Sequence, residues 1–290
     1  MPGILYLRLF IAVGCCLMLG ACSVNQIVAK SSTSLIEAGV RSMNQETDLE
    51  LARAAIPSNL KLIESLTLEL PLDRSLQSTA AQAFYGYAFG FVEDDVPARA
   101  AHLYKRGLDH ALAALAADGV KVNLLTATPE AVTQTIAGLD RKAVPALFWA
   151  ASNWAKWIDL SRNDPARIAD LPKAASLMQR VLELDPGYYF GGPALFFGVY
   201  YGSRSPMLGG DFARSAQYFD QAADYSHGQW LLTEVFRAQY LYQQMADRAA
   251  FHQVLSAVLA APDSPPDMAL ANTIARAKAR RLLAIEENLF

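Results

Sequence analysis

Four histidines and one acidic run are the side chains of this sequence that could ligate a metal ion. His102 and His110 lie eight residues apart on one predicted helix, too far to share an ion from adjacent turns, and no HExxH motif occurs. The run Glu93–Asp95 precedes Pro97, which is typical of carboxylates that meet the positive end of a helix, with a cation site as the alternative. We therefore expect no metal site and no cofactor.

Motifs for covalent or phosphoryl chemistry are also missing from the sequence. There is no GxSxG, no Walker loop and no GxGxxG, and Gly191-Gly192-Pro193 lacks the spacing that cradles a phosphate. We expect no catalytic residue and a protein that is not an enzyme. A hydrolase would need a nucleophile and a base that converge from distant parts of the chain.

Aromatic residues dominate the segment LFWAASNWAKWIDL over 147–160. One helical stripe of this segment is apolar: Leu147, Ala150, Trp154, Trp157 and Ile158. Phe148 and Trp149 lie off that stripe, so the helix is apolar nearly all round. It must be buried between layers or line an apolar cavity, and both interpretations stay open. Asn153 and Lys156 lie among these rings, where polar groups would orient a ligand.

The stretch YYGSRSPMLGGD, residues 200–211, is too long for an ordinary turn between neighbouring helices. Arg204 beside Tyr200 could hold a carboxylate at a cavity mouth, or it could be a cation at a helix C-terminus. The predicted ligand-binding or partner-binding residues are Asn153, Trp154, Trp157, Tyr200, Tyr201, Arg204 and Met207.

The N-terminus resembles an export signal. Residues 9–21 form an apolar run too short to span a bilayer, and the run ends in LGAC at Cys22, which resembles a lipobox. We predict a signal peptide over 1–21, acylation (palmitate) of Cys22, and a lipidated tether over 22–34. An ordinary cleaved signal peptide is the alternative. The remaining chain has no cysteine, which excludes disulfides from it.

The composition favours a helical globular protein. Of 290 residues, 53% are hydrophobic, and the formal net charge of −3 comes without a basic cluster, so nucleic acid is not an expected partner. Four segments rich in aromatic residues each precede a plainer amphipathic segment: 81–91 before 98–115, 147–160 before 173–186, 193–203 before 212–226, and 232–245 before 249–262. These pairs predict helix hairpins.

The hairpins resemble a repeat array. The interval from Val181 to Ala222 is 41 residues and that from Ala222 to Val258 is 36, near the 34 of tetratricopeptide repeats. We predict an all-α fold, a tetratricopeptide-like helix-hairpin array (α-solenoid), forming one domain over 35–290. Expected N-caps are Asp164, Asp211 and Ser264, and Pro57 is expected to break the first helical stretch, which Pro71 should stop.

Three segments carry a resemblance to a known family. They are LFWAASNWAKWIDLSRNDP (147–165), LMQRVLELDPGYYFGGPALFFGVYYGSRSPMLGGD (177–211) and KARRLLAIEENLF (278–290). They resemble the T-component (TatT) family of tripartite ATP-independent periplasmic (TRAP) transporters. The resemblance implies an all-helical lipoprotein that associates with the periplasmic solute-binding protein of the transporter. It further implies a homo-oligomer with an apolar pore or cavity for a small hydrophobic ligand, and it brings no catalytic residue.

The residue after Cys22 indicates which membrane a lipid anchor would enter. Ser23 after the cysteine favours a lipid anchor in the inner leaflet of the outer membrane, facing the periplasm. The alternative function is a tetratricopeptide-like envelope scaffold for protein assembly, without a small-molecule ligand. A scaffold would show a continuous polar groove and no closed cavity.

Overall fold

The computed structural model describes residues 35–36, 38–161 and 163–290. The predicted signal peptide, the predicted acylation site at Cys22 and the tether up to residue 34 lie outside the described residues. Within the described ranges every regular element is helical, which confirms the all-α fold class. None of the described helices is both long enough and apolar enough to cross a bilayer.

The helices follow one another with short connections. After helical residues 38–44 come α1 (Leu49–Glu69), α2 (Arg74–Phe91), α3 (Pro97–Ala117), α4 (Pro129–Ile136), α5 (Val144–Asp159), α6 (Pro165–Ile168), α7 (Leu171–Leu184), α8 (Tyr188–Gly202), α9 (Phe212–Tyr225), α10 (Leu232–Arg237), α11 (Arg248–Ala260), α12 (Ala269–Ala284) and α13 (Glu286–Leu289). Single 3₁₀ turns cover Arg141–Ala143, Pro206–Leu208 and Pro266–Met268, and a π turn over Ala238–Tyr242 continues α10.

The four predicted hairpins are present as packed helix pairs. Helix α2 packs against α3, α5 against α7, α8 against α9, and α10 with its π turn against α11. Two elements fell outside the hairpin prediction: α4, which packs on α7, and α6, which joins α5 to α7. The solenoid order of the pairs stays a prediction.

Most of the predicted helix boundaries are observed. Asp164 caps α6 by accepting a hydrogen bond from the Ala166 amide at 3.1 Å, and Asp211 caps α9 by accepting one from the Arg214 amide at 2.9 Å. Helix α1 ends at Glu69, directly before Leu70-Pro71, as expected.

Two boundary predictions were wrong. Pro57 does not break α1, because it lies four residues after the exposed Arg53, where solvent can satisfy the carbonyl that the proline leaves unpaired. Ser264 does not cap the last long helix, which begins at Ala269 after a 3₁₀ turn. Its hydroxyl instead accepts a hydrogen bond from the Asn272 side-chain amide at 3.0 Å.

Two glycines of α8 let this helix approach its neighbours closely. The Ser215 hydroxyl of α9 donates a hydrogen bond to the Gly198 carbonyl at 2.7 Å. A Cβ atom on Gly202 would lie 2.5 Å from the Tyr240 carbonyl oxygen of the π turn. This close packing fixes the end of α8, and therefore the long turn that follows it, against both α9 and the π turn.

Candidate functional site

A cavity of about 790 Å³ lies between α2, α5, α8 and the π turn, and we name it the first chamber. Its wall is mainly apolar. The aromatic members are Tyr85, Phe89, Phe148, Trp149, Tyr189, Phe196, Tyr200, Trp230, Phe236 and Tyr240. A few polar side chains interrupt this wall, chiefly Ser152, Lys156, Asp159, Tyr240 and Arg204. Cavities of this size and character suit a ligand whose surface is mostly hydrocarbon.

A second cavity of about 600 Å³, the second chamber, lies between helical residues 38–44, α1, α2 and α12. Its mouth reaches the exposed side chains of Leu35 and Leu62. Its described lining residues include Asp267 but no lysine or arginine, whereas Lys156 and Arg204 line the first chamber. The two chambers therefore differ in the charges that a ligand would meet.

A thin partition separates the two chambers. Seven residues line both of them and form this partition: Tyr85, Gly86, Trp149, Tyr189, Trp230, Ala271 and Ile274. The ring centroid of Tyr189 lies 4.8 Å from that of Trp149 and 5.6 Å from that of Trp230. The ring centroid of Tyr85 lies 5.5 Å from that of Trp149. These are contact distances for aromatic rings, so these rings leave no passage between one another.

The backbone of the partition adopts a rare conformation next to Tyr189. Tyr189, Phe190 and Gly191 have φ values of 49°, 61° and 80°, which places three consecutive residues in the left-handed region. For residues other than glycine this costs roughly 1–2 kcal/mol each. The Phe190 ring offsets part of the cost by stacking on Trp230 at 4.5 Å between centroids.

Gly191 fixes this left-handed segment against α9. A Cβ atom at this position would lie 2.8 Å from the Tyr225 Cβ and 3.0 Å from the Ala222 carbonyl oxygen. Only glycine permits that approach and the positive φ together.

The Tyr189 phenol is buried in the partition, and burial raises its pKa to about 12. Its hydroxyl therefore stays protonated at neutral pH.

One wall of the first chamber carries a cluster of buried charges. The Lys156 ammonium lies 2.9 Å from Glu93 and 3.8 Å from Asp159. The Lys278 ammonium lies 3.3 Å from Glu93 and 2.8 Å from Asp94. The acidic run at 93–95 was expected to cap a helix, but it pairs with cations of α5 and α12 instead, while Val96 occupies the N-cap of α3.

Glu93 and Lys156 stabilise each other in their charged states. Burial alone would raise the pKa of Glu93, but Lys156, Lys278 and the Tyr104 hydroxyl, which donates to Glu93 at 2.6 Å, hold that pKa below its usual value. Burial alone would lower the pKa of Lys156, but Glu93 keeps it well above its usual value. An anionic ligand group at Lys156 would therefore compete with Glu93.

The turn after α8 forms one edge of the first chamber. Ser203, Arg204, Ser205 and Leu208 all line it, and the Leu208 side chain is largely exposed. The Gly210 amide donates to the Ser205 carbonyl at 3.0 Å. A Cβ atom on Gly210 would overlap the Arg204 carbonyl oxygen, which makes the turn dependent on glycine.

Arg204 adopts the helix C-terminal arrangement that the sequence left open. Its Nε and Nη2 atoms donate to the Tyr200 carbonyl at 3.1 and 2.9 Å, and its guanidinium lies 4.0 Å from the centre of the Tyr200 ring. Both residues nevertheless line the first chamber. The structure thus brings these two predicted residues together at its mouth.

The other predicted site residues do not line either chamber. Asn153 and Trp154 have no exposed surface, and Asn153 donates to the carbonyls of Ala81 and Trp149 at 3.2 and 2.8 Å. Trp157 is half-buried beneath the Arg167 guanidinium, 4.0 Å from the ring centre. Tyr201 stacks on Tyr218, and Met207 is 97% exposed on the turn.

Sequence reasoning missed Tyr189 and Trp230 as cavity residues. A signal for Tyr189 exists in PGYYFGGP, where glycines flank three rings and indicate a backbone that departs from a plain helix. Trp230 follows Gly228 in a connection between helices, and nothing in its local pattern indicates a cavity. Trp149, by contrast, was detectable because it lies off the apolar stripe of α5.

No metal site is formed by the described residues. Across 35–36, 38–161 and 163–290, no group of three or more His, Cys, Asp or Glu side chains is arranged to hold an ion. The Nδ1 atom of His110 lies 2.7 Å from Oε1 of Gln77, and the Nδ1 atom of His252 lies 2.7 Å from Oε2 of Glu286. Both histidines therefore take part in side-chain hydrogen bonds.

Comparison with known proteins gives two findings. The family model described as TRAP transporter T-component matches residues 45–290, which include α1 to α13 and most of the walls of both chambers. A protein of Treponema pallidum (strain Nichols), described as an uncharacterized protein, is 25% identical over 267 residues. That alignment covers 86% of this chain and 83% of the Treponema protein.

Proposed function

Because the chain belongs to the TRAP transporter T-component family, we propose that it is the lipid-anchored accessory protein that docks the periplasmic solute-binding component and holds a small hydrophobic ligand. Family membership already gives it a role with other TRAP components and points to transport rather than catalysis. The docking partner, the ligand, the lipid anchor at Cys22, the outer-membrane location and a homo-oligomeric state belong to the proposal.

The observation that carries the ligand proposal is the first chamber. Its volume of about 790 Å³ and its aromatic wall match an apolar small molecule. Burial of each methylene of such a ligand contributes roughly 0.8 kcal/mol, so affinity should rise with the length of the hydrocarbon chain. Tyr200 and Arg204 line this chamber, and we propose that they bind a polar end of the ligand.

The turn after α8 supports the docking proposal. Met207 and Leu208 are 97% and 72% exposed and adjoin the mouth of the first chamber. Exposed apolar side chains at the rim of a cavity are typical of protein contact sites. A solute-binding protein docked on this turn would cover the mouth, so that ligand could pass between the two proteins without crossing water.

The scaffold alternative expects a continuous polar groove instead. The described residues line two mainly apolar chambers, which favours ligand binding over a purely structural role. A hydrolase finds no support in the wall of the first chamber, where the carboxylate of Asp159 lies 3.8 Å from the Lys156 ammonium.

The proposal is tested by binding measurements on two interactions. The full chain in lipid nanodiscs should bind the purified solute-binding component of its transporter in biolayer interferometry. The protein is then extracted under mild conditions and denatured. Mass spectrometry should detect a hydrophobic small molecule released from it in near-stoichiometric amount. A protein that binds neither would contradict the proposal, and one that binds only the partner would favour the scaffold.

A further inference from the structure

The partition between the chambers limits the space open to one ligand. A molecule in the first chamber meets the rings of Tyr189, Trp149 and Trp230 at its inner end. The centroid distances of 4.8 and 5.6 Å leave no gap between Tyr189 and its two neighbours for a hydrocarbon chain. A hydrocarbon chain in the first chamber therefore cannot pass between these rings while they stay in contact.

Tyr189 differs in how it is held from the partition residues that stand on regular helices. Tyr85 and Gly86 belong to α2, Trp149 to α5, and Ile274 to α12, so regular helices fix their positions. Tyr189 instead stands on the left-handed segment at the start of α8. Its ring also bridges two walls, because it contacts Trp149 on one side and Trp230 on the other.

We infer that Tyr189 sets the upper limit on ligand length, by closing a passage through which the two chambers would otherwise form one elongated cavity. This inference rests on the proposed function, since it requires that the first chamber bind an apolar ligand. The ligand class that fits the closed state is a straight-chain amphiphile whose hydrocarbon part fits within a single chamber. Loss of the Tyr189 ring would join the chambers and admit longer chains.

The test uses straight-chain fatty acids of increasing length and the full chain in lipid nanodiscs. Dissociation constants are measured by intrinsic tryptophan fluorescence, because Trp149 and Trp230 line both chambers. For the unaltered protein, each added methylene should tighten binding about fourfold until the chain reaches the partition, and further methylenes should then add nothing. In Tyr189→Ala, tightening should continue beyond that length.

Two further variants distinguish loss of the Tyr189 ring from misfolding. Tyr189→Gly also removes the ring and suits the positive φ at this position, so it should fold and give the same extended length series. Tyr188→Ala is the matched control, because Tyr188 packs on Phe148 with centroids 5.2 Å apart but lines neither chamber. This control should keep the length limit of the unaltered protein.

Two results would overturn the inference, and they differ in what they say about function. If the fatty acids bind but folded Tyr189→Ala and Tyr189→Gly keep the same limit as the unaltered protein, Tyr189 does not set ligand length, and the proposed function still stands. If no chain length binds to any of the proteins, the proposed function fails and the inference fails with it. Thermal melting of each variant establishes that it is folded.

Discussion

The ring of Tyr189 lies edge-on to Trp149, with centroids 4.8 Å apart, at the point where the two chambers meet. Trp149 is fixed by α5, whereas Tyr189 comes from a left-handed segment before the regular part of α8. This pair shows how the fold builds an apolar interior that is hollow on both sides of one layer of rings.

Filling the open space at Gly86 should reduce ligand binding without unfolding the protein. A Cβ atom on Gly86 meets nothing within 4 Å, and this residue lines both chambers. We expect Gly86→Phe to weaken binding of an apolar fluorescent probe at least tenfold, because the new ring occupies the ligand volume. Gly138→Phe is the control, since Gly138 is equally unobstructed but lines neither chamber. Equal affinities for the two variants would contradict a site at Gly86.

Arg204 should matter for the acidic end of a ligand. We expect Arg204→Ala to weaken binding of a dansylated fatty acid roughly tenfold or more, because a charge-assisted hydrogen bond at the mouth is lost. The methyl ester of the same probe should bind the unaltered protein and the Arg204→Ala variant with equal affinity. Arg214→Ala is the control, since Arg214 likewise covers a tyrosine ring, that of Tyr201, at 4.3 Å but lines neither chamber. Equal losses for the acid and the ester would show that Arg204 only packs.

The exposed Met207 side chain should contribute to docking. We expect Met207→Ser to weaken binding to the solute-binding component roughly tenfold, because an apolar side chain of this size loses its burial in the interface. The melting temperature should not change, as Met207 is 97% exposed in the free protein. Leu68→Ser is the control, since Leu68 is 81% exposed on α1 and far in sequence from the turn. If both variants bind the partner like the unaltered protein, the turn is not the docking surface.

Glu93 should be essential for stability. Glu93→Gln leaves two buried ammonium groups without their shared carboxylate, which costs roughly 3–5 kcal/mol of the free energy of unfolding. Asp95→Asn is the control from the same acidic run, and its exposed pair with Arg281 should have little effect on the urea midpoint. Similar urea midpoints for the two variants would contradict the assigned role of the cluster.

The same residue should shape the pH dependence of stability. Because the pKa of Glu93 is lower in the folded protein than its usual 4.5, its contribution is complete above about pH 4.5 and is lost as pH falls through the folded pKa. The pKa of Lys156 is raised above its usual 10.5, so that contribution is complete below about pH 10.5 and is lost as pH rises through the folded pKa. When the urea midpoint is plotted against pH, we expect Glu93→Gln to flatten the acidic side of the curve. An unchanged acidic side would contradict this assignment.

Local sequence signals predicted the helices and one edge of the cavity well. Helical periodicity and caps such as Asp211 gave the hairpins, and the length of the turn at 203–211 indicated a special role before its position at a chamber mouth was known. The off-stripe Trp149 indicated a helix with two apolar faces, and one of these faces lines the chambers.

The remaining features depend on contacts that no local pattern contains. The buried pair of Glu93 and Lys278 joins residues 185 positions apart, so its existence follows only from the position of α12 beside the turn between α2 and α3. Trp154 was chosen as a ligand contact because it is large and aromatic, but its side chain is fully buried in the core. The hollow lies on the opposite side of the helix, where periodicity alone cannot distinguish a cavity wall from a second core.

The central claim is that the first chamber holds an apolar ligand, and a crystal structure with a brominated fatty acid tests it most directly. The account predicts an anomalous bromine peak inside the first chamber, among Trp149, Phe196 and Trp230, with the carboxylate near Arg204. No bromine peak in the chamber, together with ordered water filling it, would contradict the claim.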